Sequence, residues 1–182
     1  MSFDTATAHG KAAPAGEGEV IIRVRGLTNR FGSKTVHEDL DLDVMKGEVL
    51  GVIGGSGTGK SVLMRSIVGL HTPNAGEVEV FGQRLGKLSR DERIKVERRW
   101  GVMCQDGALF STMTVRENLE FVCRLYGVQD VRSRVNELVE QFVFHDLGRD
   151  KQLVGTLSGG WKQRLALACA VAHLKGYLLP PE

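Results

Sequence analysis

Apolar and polar positions alternate over the first quarter of the chain and then change period. Val20 to Val24 alternates weakly and predicts a strand. Thr35 to Val44 predicts a second, with Val36, Leu40, Leu42 and Val44 set against His37, Glu38, Asp39, Asp41 and Asp43. Glu48 to Ile53 is a nearly continuous apolar run, the pattern of a parallel strand buried on both faces. Glycines follow at once. From Lys60 to Leu70 the apolar residues Val62, Leu63, Met64, Ile67, Val68 and Leu70 then fall in helical rhythm, completing a strand, glycine loop and helix.

Further along, Pro73 to Gly76 reads as a turn and Glu77 to Phe81 as a strand. Ser89 and Glu92 have capping-box spacing and open a charged helix to about Arg99. Trp100 to Cys104 is strand-like. Thr114 and Glu117 form a second capping box, opening a helix that Gly127 closes. Val131, Val135, Leu138, Val139 and Phe142 mark an amphipathic helix, and Ser158 is expected to cap a helix from Gly159 to His173. Strands first, a nucleotide-type βα unit and then a run of helices predict an α/β fold with a helical insertion at about 111–165. No internal repeat is visible.

At 182 residues the chain has room for one sizeable core. A composition 42% hydrophobic and 25% charged is that of a soluble globular domain, and a net charge of +2 gives no support to nucleic-acid binding. Cys104, Cys123 and Cys169 stand at unrelated spacings and read as reduced thiols filling core gaps. The longest helical apolar stretch, Leu165 to Ala172, falls far short of the ~18 residues of a membrane span. Residues 1–18 lack a signal-peptide pattern and are poor in large apolar residues, so a disordered tail is expected there. The chain is expected in the cytosol, reaching a membrane only through a partner.

The chemistry is concentrated in Gly54, Gly55, Ser56, Gly57, Thr58, Gly59, Lys60 and Ser61, which satisfy GxxxxGK[ST] between a strand pattern and a helix pattern. Glycines let such a loop wrap a phosphate chain and aim backbone N–H groups inward, while the helix N-terminus adds its positive end. Lys60 would bridge the β- and γ-phosphates, and the Ser61 hydroxyl would ligate Mg²⁺.

Around this loop the sequence from about Val20 to His173 resembles the nucleotide-binding domain of ABC transporters. Phe31, in Asn29-Arg-Phe-Gly32, stands where that family stacks an aromatic ring on adenine. Gln105 matches the Q-loop glutamine, which implies contact with Mg²⁺ and the γ-phosphate. Leu157 to Arg164 is similar to the LSGGQ signature, so that Ser158, Gly159 and Gly160 would close on the ATP of a second subunit. Taken singly, Phe31 could be a core aromatic, Gln105 a surface amide and Ser158 an ordinary N-cap; their order around a complete phosphate loop favours the family reading. Trp161 replaces the usual signature glutamine.

Subfamily features divide along the chain. Asn29 to Gly32, Gly54 to Val62 and Gln105 to Phe110 resemble ATPases of bacterial lipid-trafficking importers that maintain outer-membrane asymmetry. Glu117 to Phe121, Leu125 to Gly127 and Leu157 to Cys169 resemble ABC-2-type exporters.

The resemblance also implies a buried strand ending in Asp-Glu after the signature helix, where the Asp holds Mg²⁺ and the Glu polarises water. Those places fall on Pro181 and Glu182. A proline has no carboxylate and no N–H for a central strand, so Glu182 is a weak candidate base and the catalytic group is left open. The expected fold is therefore a P-loop NTPase core with N-terminal antiparallel strands and a helical subdomain, over 19–182, lacking the C-terminal part of its sheet. A fragment, a decayed gene product and a hybrid all stay open.

Three functions follow from the resemblance. The first is a transport motor, in which two such domains sandwich ATP and Mg²⁺ and drive a transmembrane permease from the inner face of the plasma membrane, moving lipid or another hydrophobic substrate. The second is an ATP-binding but hydrolytically inactive module. The third is a soluble ABC protein of repair or translation, whose usual paired cassettes or long insertions are not visible here.

Overall fold

Two long strands, β1 (Val20–Phe31) and β2 (Lys34–Met45), fold back on each other across a tight turn at Gly32 and Ser33. The computed structural model to which they belong describes residues 18–104 and 107–174. All of the expected tail except Gly18 lies outside the described residues, as do Gln105 and the segment carrying Pro181 and Glu182. The chain divides after Glu97 into two compact units.

The first unit is built on a four-stranded antiparallel sheet in the order β2-β1-β3-β4, with β3 at Ala75–Val80 and β4 at Gln83–Arg84. Val24 pairs with Leu42 on one side and with Val78 on the other. Both ladders slip just beyond Val24, around Gly26, which has φ +58. The slip turns Leu27 and Asn29 inward, where strict alternation from Val24 would have buried Gly26 and Thr28. At the same place Gly76 crosses β1 so closely that a Cβ on it would lie 2.4 Å from the Gly26 carbonyl oxygen. The helix α1 (Lys60–Ile67) packs on β1 and β3, burying Leu63 and Ile67 with Val24, Leu27, Val78 and Val80. It stops three residues before the expected Leu70, because Gly69 takes φ +73 and the last amides turn back onto Arg65 and Ser66. The helix α2 (Arg90–Glu97) starts as predicted on the reciprocal Ser89–Glu92 capping contacts.

The expected strand at Glu48–Ile53 is not formed. Val49 is 99% exposed and Ile53 95% exposed, and the segment has no partner strand among the described residues. Trp100–Cys104, expected to be strand-like, joins no sheet among the described residues. A parallel strand draws its hydrogen bonds from neighbours and its burial from helices on both faces, so an apolar run alone does not make one.

The second unit holds α3 (Val115–Leu125), α4 (Val131–Gln141) and α5 (Gly159–Val171). Leu119, Cys123, Val135, Leu138, Phe144, Leu165 and Ala168 fill its core. Thr114 and Glu117 close the predicted capping box on α3, and Asp130 caps α4 through the amide of Ser133. Arg134 of α4 donates to the carbonyl oxygens of Ala172 at 2.9 Å and Leu174 at 3.0 Å, placing a cation on the free carbonyls at the end of α5. Among the described residues no helix is long and apolar enough to cross a membrane.

Candidate functional site

The predicted phosphate loop is an exposed turn leading into α1. Gly57 has φ +78 and Gly59, at the N-cap, φ +97, backbone that side-chain-bearing residues seldom adopt. The first intrahelical bond runs from Leu63 N–H to the Gly59 carbonyl at 2.9 Å. The amides of Lys60, Ser61 and Val62 therefore stand at an open helix end, the arrangement that receives anions. The Thr58 hydroxyl braces the turn by donating to the Gly55 carbonyl at 3.0 Å.

Lys60 lies across the loop, its ammonium donating to the carbonyl oxygens of Gly54 and Gly55, both at 2.6 Å. These bonds hold the charge over the loop, where a phosphate could take over its contacts. Ser61 is exposed on the first turn. No group of three or more His, Cys, Asp or Glu among the described residues could hold a metal by itself. Among the described residues only the Ser61 hydroxyl stands where it could ligate Mg²⁺, so most of the ion's shell would come from nucleotide phosphates and water.

Phe31, at the end of β1, is 48% exposed and stacks on His71, with ring centroids 5.3 Å apart and planes 26° from parallel. Behind it lies a polar cluster that the sequence reading missed. Asn29 is fully buried; its Oδ1 accepts from His71 Nε2 at 3.0 Å. Its amide nitrogen lies 3.1 Å from His37 Nδ1 and donates to Ser66 Oγ at 3.2 Å. The Ser66 hydroxyl in turn donates to the Val62 carbonyl within α1. The predicted strand ends at Val24, short of Asn29, which joins β1 and faces inward only through the slip at Gly26.

Ser158, Gly159 and Gly160 belong to the second unit, exposed at the start of α5, with Leu157 buried behind them as an anchor. Ser158 occupies the N-cap position, but its side chain makes no capping hydrogen bond, contrary to expectation. In so exposed a first turn water competes for the same amides, and the hydroxyl stays available to another partner. Trp161 packs on Phe144, ring centroids 5.7 Å apart, and the guanidinium groups of Arg149 and Arg164 lie 4.2 and 4.7 Å from its ring. The residue in the usual glutamine position is therefore an internal tie of the second unit. A cleft of about 380 Å³ is lined by Met103, Cys104 and Gly107, which flank position 105, and by Gly159 and Gln163 of α5.

Phe31 and the phosphate loop thus belong to one unit and the signature residues to the other, while Gln105 and Glu182 lie outside the described residues.

The sequence profile of the ABC transporter family matches residues 37–179. A probable ribonucleotide transport ATP-binding protein of Mycobacterium leprae is 38% identical over 88% of this chain and 48% of its own length. A methionine import ATP-binding protein of Acinetobacter baylyi is 34% identical over 88% of this chain and 46% of its own. The chain thus spans about half the length of these curated relatives. Among solved structures, an ATP-binding subunit of an ABC transporter superposes with a TM-score of 0.70 at 26% identity, covering 84% of this chain and 62% of its own. A dimeric post-hydrolysis ATP-binding cassette bound to ADP and Pi gives 0.71 at 26% identity, covering 84% of this chain and 70% of its own. The shared fold is the α/β architecture expected from the sequence, and with the family profile covering most of its residues, this chain belongs to the ABC transporter family as an ATP-binding domain.

Proposed function

We propose that the chain binds Mg-ATP through the loop at Gly54–Ser61 and serves as the ATP-binding subunit of a transporter, working as a pair on a transmembrane permease at the inner face of the plasma membrane. The observation that carries this reading is the open N-terminus of α1, where left-handed Gly57 and Gly59 set the loop and Lys60 lies across it. Lys60 neutralises the phosphates, the amides at the helix start receive their oxygens and the Ser61 hydroxyl serves as the protein ligand to Mg²⁺. The ion supplies charge neutralisation at the terminal phosphate when bound. Phe31 offers a ring to the base, Gln105 is the family-type sensor of the metal, and Ser158, Gly159 and Gly160 reach the nucleotide of the second copy.

Titration with a fluorescent ATP analogue tests the loop: the chain binds, and Lys60→Ala removes binding or nearly so. Equal affinity in the two proteins would overturn the phosphate-loop assignment. Release of phosphate from ATP distinguishes a motor from a module that only binds. On the resemblance, the places of the family's metal-holding Asp and its base fall on Pro181 and Glu182, so we expect little or no steady-state turnover, and a rate near 1 s⁻¹, within the usual enzyme range, would assign the base to another residue.

The cargo we propose is lipid, on the resemblance of Asn29 to Gly32 and Gly54 to Val62 to lipid-trafficking importers. Co-purification from membranes with the permease decides it. A lipid-import permease supports the proposal, whereas an exporter permease favours the ABC-2 reading carried by Glu117 to Phe121, and an amino-acid permease overturns both.

A further inference from the structure

We propose that His71 is a positioning residue for the nucleobase, bracing Phe31 from one side so that the other face of the ring takes the purine. This rests on the nucleotide-binding reading above and adds to it a residue that the phosphate-loop, Q-loop and signature motifs do not contain. Three observations carry it.

The first is the partial burial of Phe31. A ring that served only as packing would be enclosed, yet Phe31 is 48% exposed while stacked at 5.3 Å on His71, within the range of favourable ring pairs. The second is the way His71 is held. Its Nε2–H donates to the fully buried Asn29 Oδ1, and the Asn29 amide spends its N–H groups on His37 Nδ1 and Ser66 Oγ, so the imidazole plane is fixed by a saturated buried amide. The segment after His71 is also tied to β1: Asn74 Oδ1 accepts from Arg30 N–H at 2.6 Å, and Asn74 N–H donates to the Thr28 carbonyl at 2.9 Å. The third is continuity with the phosphate loop. His37 lies so close to Gly59 that a Cβ there would be 2.6 Å from its Nε2. One set of side chains therefore braces the aromatic ring at one end and touches the loop backbone at the other.

The bracing predicts an effect on the base and not on the phosphates. In calorimetric titrations of the full chain with Mg²⁺, His71→Ala should lose roughly three- to tenfold in affinity for ATP while binding tripolyphosphate as the unchanged protein does. His71→Phe, which keeps the stack without the Asn29 bond, should retain most of the ATP affinity. His71→Gln, which keeps a donor without a ring, should behave like the alanine variant. Unchanged tripolyphosphate binding doubles as the check that each variant is folded. Equal ATP affinity in wild type, His71→Ala and His71→Phe would overturn the bracing role and leave the loop reading intact. Parallel losses for ATP and tripolyphosphate in every His71 variant would overturn it too, by assigning His71 to the fold. Failure of the unchanged chain to bind either ligand, or indifference of both to Lys60→Ala, would instead overturn the loop reading, and this proposal with it.

Discussion

Gly59 and His37 are in such close approach that no side chain fits between them: a methyl on Gly59 would reach 2.6 Å from His37 Nε2 and 2.4 Å from Val36 Cγ1. The glycine also takes φ +97, so its identity is required twice, once by backbone conformation and once by space. Gly59→Ala should lower the unfolding free energy by about 1–3 kcal/mol, the ordinary cost of such backbone strain, and should displace the start of α1. Urea unfolding followed by circular dichroism measures it. An unchanged midpoint would mean that the loop relaxes away from β2 without cost.

The hydrogen bond between Asn29 and His37 has a consequence for acid stability. Burial pushes the His37 imidazole below its ordinary 6.5, and a proton on Nδ1 would face the N–H of Asn29 instead of accepting from it. His173 is also held low, first by burial and then by Arg134 and Arg98, against the raising effect of its bond to the Trp100 carbonyl. Both groups take up protons near 6.5 when unfolded and only at lower pH when folded. Their contribution is therefore complete above 6.5 and lost as pH falls from 6.5 through the folded values. Thermal unfolding at pH 7.5 and pH 5.5 should show the lower midpoint at pH 5.5, with the difference reduced in His37→Gln. Equal midpoints would contradict the burial of both imidazoles. Glu92 and Glu117, both lowered from 4.5 by their capping bonds, act in a more acidic range.

Asn118, 2% exposed in α3, accepts from the Phe110 N–H at 2.9 Å and donates to the Phe110 carbonyl at 3.1 Å and the Thr114 carbonyl at 2.9 Å. From its buried position it pins the partly exposed loop leading into α3 to the first turn of that helix. Asn118→Ala leaves the Phe110 N–H without its partner, while the Phe110 and Thr114 carbonyls keep their bonds from the Met113 and Asn118 amides, and should cost about 0.5–1.5 kcal/mol. Asn118→Asp keeps an acceptor but sets a carboxylate against two carbonyls and should cost at least as much. Thermal denaturation of the pair decides it: a shift only in the alanine variant would show that the donated bonds to the carbonyls matter little.

Features set by adjacent residues were legible in the sequence, and those needing distant partners were not. The caps at Ser89 and Thr114 were readable because a side chain and an amide three residues away suffice. The phosphate loop was readable because its residues are contiguous. The strand β1 extends to Phe31 rather than ending near Val24, since Gly26 is accommodated by a slip in both ladders. The Asn29 cluster joins residues as far as 42 positions apart, with no local pattern to announce it. The apolar run at Glu48–Ile53 failed for the complementary reason: its composition satisfies a strand, but pairing depends on elements elsewhere.

That run yields the last prediction. Val49 and Ile53 are almost fully exposed, and Leu50 and Val52 are each 40% exposed, in a segment without a partner strand among the described residues. Amides held only by solvent exchange at rates set by local opening, far below the global unfolding free energy. Hydrogen exchange at Val49 to Ile53 should therefore be fast while Val24, Leu27 and Val78 stay protected. Aspartate at Val49 or Ile53 should change stability by no more than about 0.5 kcal/mol, as at other surface positions, and should reduce self-association by breaking up exposed apolar surface. In a sheet with this strand at its centre the same substitutions would bury a charge and cost several kcal/mol. Slow, global protection of Val49 to Ile53, or a large loss of stability on placing aspartate there, would mean that a partner strand covers this segment in solution.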